Sequence, residues 1–219
     1  LFLTPGAQTS PTRTRSLTVE PSGHQAAAYL NWRLEPAAAF AADLGLRWDT
    51  ESLAPDDDSH WSPRAVLMWR PREDTRLRLG WGRYYQAQAI NELQVPDGER
   101  EYQRAQRATH YVASAEHELT PALTLRTELY RKEYDRPFAR HENLLNTLVV
   151  LPELKPDRIL ITPDEAVSEG AEISLNYEAG SVSGWLSYSH SRVRDRVDGE
   201  WLHRSWDQRD YVSAGWNWR

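Results

Sequence analysis

The chain has 219 residues, enough for one or two ordinary domains with a sizeable core. Its net charge of -6 and pI of 5.7 argue against nucleic acid as a partner, whose footprint is a basic patch or stripe. The lack of cysteine removes disulfide frameworks, thiolate zinc sites and thiol nucleophiles. No apolar run approaches the roughly 18 residues of a transmembrane helix. Charged residues make up 26% and mean hydropathy is negative, which for most folds reads as soluble. A membrane β-barrel escapes that reading, because only the outward half of each strand meets lipid.

The amino terminus, Leu1-Phe2-Leu3-Thr4-Pro5, has no initiator methionine, basic n-region or signal-length apolar core. Alternating residues first suggest a strand at Arg13–Glu20. The clearest period of two follows at His24–Glu35, with Ala26, Ala28, Leu30, Trp32 and Leu34 on one face. Gln25, Tyr29, Asn31, Arg33 and Glu35 take the other face. Ala38–Thr50 repeats the pattern, Phe40, Ala42, Leu44, Leu46 and Trp48 opposing Asp43, Arg47 and Asp49, so the two runs predict a hairpin. Further strands are expected at Pro63–Arg70, Thr75–Gln86, Thr109–Thr120, Leu123–Tyr134, Gly170–Glu178, Val182–Arg194 and Gln208–Arg219. The last stops without a turn or tail, which suggests a fragment of a longer chain.

Connections alternate in length. Glu35-Pro36-Ala37, Pro71-Arg72-Glu73-Asp74, Thr120-Pro121-Ala122 and Glu178-Ala179-Gly180-Ser181 read as tight turns. Glu51–Ser62, Ala87–Ala108, Asp135–Glu169 and Val193–Trp206 read as long charged loops. Outer-membrane barrels have this layout, with short turns periplasmic. Most segments also reach the nine to eleven or so residues of a tilted membrane strand.

Three apolar faces carry no charge. Leu77, Leu79 and Trp81 oppose Arg76 and Arg78; Leu123, Leu125 and Leu129 oppose Arg126, Glu128 and Lys132; Ala171, Ile173, Leu175 and Tyr177 oppose Glu172 and Glu178. An Arg at mid-bilayer on the lipid face costs about 2–4 kcal/mol, so a one-residue slip of Thr75–Gln86 is strongly disfavoured. Aromatic girdles are expected at Trp32, Trp69, Trp216 and Trp218 on the inner side and at Trp48, Tyr130 and Tyr188 on the outer. The competing explanation is that Trp and Tyr favour strands and cores.

Ala28-Tyr29-Leu30-Asn31-Trp32 followed by Gly45-Leu46-Arg47-Trp48-Asp49 resembles the Y-x-x-D-x-W and G-x-R-Y-D strand pair in the barrel of TonB-dependent outer-membrane receptors, with Asn31 where Asp is usual. Ser62-Pro63-Arg64, Trp69-Arg70-Pro71, Leu79-Gly80-Trp81-Gly82-Arg83-Tyr84-Tyr85 and His110-Tyr111-Val112 follow in family order. Glu116-His117-Glu118-Leu119, Glu169-Gly170-Ala171-Glu172-Ile173 and Ser205-Trp206-Asp207-Gln208 complete the series.

The resemblance implies an all-β fold, an antiparallel up-and-down transmembrane β-barrel, here a partial barrel or curved open sheet of about ten strands. It implies that residues 1–219 are one segment of the barrel domain, with the plug domain and remaining strands absent. It further implies outer-membrane lipid as solvent and coupling to TonB through that absent plug. The cargo would be a scarce small-molecule or oligosaccharide ligand of the siderophore, cobalamin or oligosaccharide class. Two other readings compete: an outer-membrane protease or lipase barrel, and a soluble Trp-rich carbohydrate-binding β-sandwich.

No catalytic, cofactor or metal residue is singled out. His24, His60, His110, His117, His141, His190 and His203 form no metal motif, and His110 and His117 should point to opposite faces. Asp56-Asp57-Asp58 with Ser59-His60 invites calcium but lacks the alternation and glycine of a dedicated loop, and a solvated acidic loop is the plainer reading. Arg33, Asp43, Arg47, Arg76, Arg78, Arg126, Glu128 and Glu172 should face the lumen, either gripping a plug, lining a solute path or simply meeting water. Phe138, Leu144, Leu145, Leu148, Val149, Val150 and Leu151 make the longest loop partly apolar, to fold over the barrel mouth or bury among neighbouring loops.

Overall fold

The structure, a computed structural model, describes residues 20–54, 58–145 and 157–219. Twelve strands occur among them: β1 (Gln25–Ala37), β2 (Phe40–Glu51), β3 (Asp58–Arg72), β4 (Thr75–Gln86), β5 (Gln106–Thr120), β6 (Leu123–Tyr134), β7 (Arg140–Asn143), β8 (Arg158–Ile161), β9 (Glu165–Ala179), β10 (Val182–Val197), β11 (Glu200–His203) and β12 (Asp210–Trp218). Ten of them build one open antiparallel sheet in the order β1-β2-β3-β4-β5-β6-β9-β10. β11 and β12 share the far edge of β10, β11 along Arg194–Val197 and β12 along Val182–His190. β7 and β8 pair separately. The predicted strand Arg13–Glu20 lies outside the described residues except for Glu20, which is not in a strand.

Thr75–Gln86 and Leu123–Tyr134 keep their predicted bounds, whereas four other strands outgrow theirs at the long-loop end. β3 starts at Asp58, β5 at Gln106 and β9 at Glu165, and β10 runs on to Val197. Beyond the lipid both faces are wet, so the apolar alternation stops while the backbone ladder continues.

The four hairpins at the short-turn end of the sheet close at Ala38-Ala39, Glu73-Asp74, Pro121-Ala122 and Gly180-Ser181. Pro36 and Pro71, read from sequence as turn residues, instead sit in register irregularities just before their turns, between Leu34 and Ala37 and between Trp69 and Arg72. A proline has no N–H to give the ladder, and a bulge is where that loss is tolerated. Gly180 opens the last short turn at φ +59°, a left-handed conformation that favours glycine.

Strand parity separates two faces. The pairs Trp32–Leu44, Leu44–Ala65, Ala65–Trp81 and Trp81–Tyr111 continue through Arg131, Glu169 and Arg192 as one cross-strand row. Trp32 stands five positions before Ala37 at the short-turn end of β1, but Arg192 stands ten positions after Val182 at that end of β10. The row therefore climbs from one side of the sheet to the other, as it does in a barrel wall with tilted, staggered strands.

A sandwich would bury the apolar face, and this sheet leaves it open. Leu30 is 70% exposed, Leu79 60%, Leu129 61% and Trp216 92%. No large side chain among the described residues is fully buried. The dry apolar positions, Ala54, Leu93, Tyr102, Ala105, Ala108, Ala166 and Val167, all lie at the long-loop end. An apolar band this continuous is unstable in water, and lipid is the solvent that makes it favourable. The sandwich reading is thereby overturned.

The expected girdle residues Trp32, Trp69, Trp216 and Trp218 lie on the apolar face toward the short turns, where Phe40 stacks on Trp69 with ring centroids 6.0 Å apart. Trp48 pairs with Trp61 and Tyr188 follows Leu186 at the outer side. Tyr130 is a correction: it pairs with Val112 and Gly170 and shares a face with Glu128 and Lys132. An even-numbered residue of β6 cannot join Leu129 in lipid.

Candidate functional site

The charged face is a wall of short ion pairs. Each arginine expected in the lumen lies on it, because each sits at even spacing from the next polar residue of its strand. Arg33 contacts Glu35 at 2.6 Å and its cross-strand partner Asp43 at 3.4 Å. Arg47 meets Asp49 at 2.6 Å, Arg76 meets Glu116 on β5 at 2.6 Å, and Arg126 meets Glu128 at 2.9 Å. Arg64 donates to Asn31 at 2.6 Å, tying β3 to β1 across β2. Glu128 and Glu172 are direct cross-strand neighbours, a like-charged pair that Arg126 offsets from one side and the Ser187 hydroxyl from the other, at 3.3 Å. Arg78 shares the face beside Met68 and Ser114.

Above this wall the long connections build a packed cluster that period-two reading did not detect. The segment between β4 and β5 turns through a 3-10 turn at Val95–Asp97, closed by Gly98 at φ +98°. Gln103 clamps the base of the β7–β8 hairpin, its amide donating to the Ala139 carbonyl at 2.9 Å and accepting from the Ala139 N–H at 2.8 Å. Arg158 of β8 donates to Asp97 at 2.7 Å, and His141 of β7 lies 3.5 Å from Glu99. The Arg158 guanidinium holds the Asp97 carboxyl below the usual carboxylate range. The other side of the hairpin is pinned by Asp195 of β10, only 2% exposed. Asp195 accepts from Arg140 at 2.5 Å and from Arg204 at 2.9 and 3.0 Å.

These elements enclose an open cavity of about 420 Å³ lined by glutamine, glutamate, arginine and histidine, with Phe138 and Trp206 as its aromatic walls. Arg140 lies 5.5 Å over the Trp206 ring. Leu144 and Leu145, expected to fold over the mouth or bury among loops, are 65% and 85% exposed at the hairpin tip. Leu148, Val149, Val150 and Leu151 lie outside the described residues. One sequence signal for the cluster existed, the Pro96-Asp97-Gly98 turn.

Asp56 and Asp57 lie outside the described residues, and Asp58 is no solvated loop acid. Its carboxylate accepts the Ala105 N–H at 2.8 Å and lies 2.8 Å from His60, which stacks on Tyr85 at 4.2 Å. Beside it Glu51 is 5% exposed, and burial with the nearby Asp58 charge pushes its carboxyl above the usual range. His110 and His117 point to opposite faces, His110 against Tyr84 and His117 against Thr75. Among the described residues no three His, Asp or Glu side chains could hold a metal ion together.

A tilted antiparallel sheet with one lipid-compatible face, one ion-paired face, short turns at one end and packed loops at the other defines a wall of an outer-membrane β-barrel. Residues 3–219 match the family described as TonB dependent receptor-like, beta-barrel, and the chain belongs to that family of bacterial outer-membrane receptors, which are not enzymes. No curated protein matches the chain. It is similar to the ferripyoverdine receptor of Pseudomonas aeruginosa, at 17% identity over 89% of this chain and 26% of that one, TM-score 0.62. It is similar to the siderophore receptor PiuA from Acinetobacter baumannii, at 14% identity over 90% and 31%, TM-score 0.61. It is also similar to the FrpB iron transporter from Neisseria meningitidis, at 16% identity over 84% and 29%, TM-score 0.59. The chain thus spans about a quarter to a third of the length of these structures.

Proposed function

We propose that this chain forms part of the barrel wall and outer vestibule of an active transporter. That receptor binds a scarce ligand at its outer face and imports it with energy relayed by TonB through a plug held inside the barrel. The observation that carries this reading is the division of labour along the sheet, from ion-paired wall to packed, cavity-bearing loops. Paired charges on the inner face suit a polar plug that must be gripped and later released, because exposed ion pairs exchange partners at little cost. Siderophores lead the ligand classes, since the similar structures include ferripyoverdine and siderophore receptors. Cobalamin and oligosaccharides follow.

The test is uptake by cells whose one receptor of this kind is the full protein containing this segment. Radiolabelled ferripyoverdine, cobalamin and a maltooligosaccharide are supplied in turn, with and without a protonophore. Accumulation of one of them that stops with the protonophore is expected. Passive, protonophore-insensitive entry of all three would show an open pore and defeat the proposal.

A further inference from the structure

On the apolar side of the sheet, where the lipid band ends, three arginines gather on one glutamate. Arg192 donates to Glu169 at 2.7 Å, Arg131 at 3.1 Å and Arg194 at 3.2 Å. Arg131 also holds Glu133 at 2.8 Å. All five residues take odd or even positions that place them with Leu129, Ile173 and Tyr188 on the lipid side. The Glu169 side chain is 19% exposed beneath guanidiniums that are 50%, 52% and 29% exposed. Two carboxylates face three guanidiniums of five N–H donors each, so the cluster keeps a positive excess and outward donors. The Arg194 Nε–H donates to no partner among the described residues, and its guanidinium lies 5.5 Å over the Trp201 ring.

Height decides what those donors meet. From Leu123 to Arg131 is eight positions of β6, about 26 Å along the strand, and from Val182 to Arg192 is ten of β10, about 33 Å. At a strand tilt of about 40° these become roughly 20 and 25 Å of height, against an apolar band of about 25 Å. The guanidiniums therefore stand at the upper rim of the band, level with the headgroups of the outer leaflet. The ionisable groups flanking the cluster on this face are already paired, His190 with Asp210 at 2.9 Å, Arg196 with Glu165 at 3.5 Å and His203, the cross-strand partner of Arg194, with Asp207 at 3.5 Å.

We infer that Arg131, Arg192 and Arg194, organised by Glu169, form a binding site on the barrel exterior for the phosphate of an outer-leaflet glycolipid. Planar guanidiniums match phosphate oxygens in paired hydrogen bonds, and a carboxylate that already orders them lowers the entropic cost of capture. The site depends on the outer-membrane location and not on what the receptor carries, so uptake and lipid binding can fail separately.

The experiment titrates the full receptor, in neutral detergent, with diphosphoryl lipid A, dephosphorylated lipid A and inorganic phosphate, counting adducts by native mass spectrometry. Wild type should retain diphosphoryl lipid A far better than either alternative. The triple variant Arg131→Gln, Arg192→Gln, Arg194→Gln should lose about a hundredfold in affinity and Arg192→Gln alone about fivefold, from the typical contribution of one arginine near an anionic surface. Arg72→Gln, a cation at the short-turn end, should bind as wild type does. Heat-modifiable gel mobility verifies that each barrel is folded, and the single variant carries the test if the triple does not fold. Equal binding of dephosphorylated lipid A, displacement by inorganic phosphate at equal concentration, or unchanged affinity in the folded variants would each overturn the assignment.

Discussion

Glu51 is a carboxylate whose environment opposes its ionised state. It lies 5% exposed beside Asp58, and burial outweighs the Gln25 side chain in setting its ionisation. A carboxyl raised by burial costs stability above its folded pKa and ceases to do so once it is protonated. Glu51→Gln is therefore expected to stabilise the receptor by about 1 kcal/mol at neutral pH, with the gain vanishing as pH falls below that raised pKa. Thermal melts in detergent at both ends of the range check this, and an equal gain at acid pH contradicts it. Gly170 shows the opposite constraint, absence of a side chain. A Cβ there would stand 2.7 Å from the His190 carbonyl oxygen and 2.8 Å from the Tyr130 hydroxyl. The carbonyl belongs to a paired strand and cannot yield, so Gly170→Ala should destabilise the barrel by roughly 1–3 kcal/mol, read from the same melts. Parity puts Tyr130 on the charged face, and the β6–β9 register then sets it over this glycine.

At the scale of elements, the β7–β8 hairpin is held by polar groups more than by apolar burial, and its docking should be correspondingly breakable. Asp195→Ala leaves Arg140 and Arg204 without their shared carboxylate. Loss of one partner from a buried ion pair costs about 3–5 kcal/mol. Limited proteolysis of the full receptor should then cut within residues 135–164 much faster than in wild type, and unchanged cleavage would show that the hairpin docks by other means. The Asp97 contact adds a pH dependence of defined sign. Because its folded pKa is depressed by Arg158, its contribution is complete above the ordinary carboxylate pKa and is lost as pH falls through the lowered value. Protease susceptibility of the hairpin should rise only in that acid range, and Asp97→Asn should abolish the rise. The strands themselves were largely legible from residue alternation. The three four-residue strands were not, because such runs are too short to show a period and owe their pairing to neighbours far away in sequence.

For the whole molecule, the decisive term is the solvent on the apolar face. Leu79→Arg places a charge at the middle of that face and should cost about 2–4 kcal/mol in folding into lipid vesicles, whereas Ser187→Arg on the charged face beside Glu172 should change little. Urea titration of vesicle-folded receptor measures both. Equal costs would mean that the two faces are wetted alike. The same comparison separates a lipid-facing sheet from any soluble layered fold, since a second protein layer would penalise the arginine on whichever face it covered.

Local chemistry determined which face each strand residue takes, where the short hairpins close and that one side of the sheet belongs in lipid, because period two and turn residues act over a few positions. Alternation also lined up Arg33, Arg47, Arg76 and Arg126 on one wall. Only the tertiary structure decided how far the ladders climb past the membrane and how the rows stagger from Trp32 to Arg192. It alone brought Arg131, Glu169, Arg192 and Arg194 together, and Arg140, Asp195 and Arg204. Those meetings depend on register summed across several strand pairs, a quantity that no single segment carries.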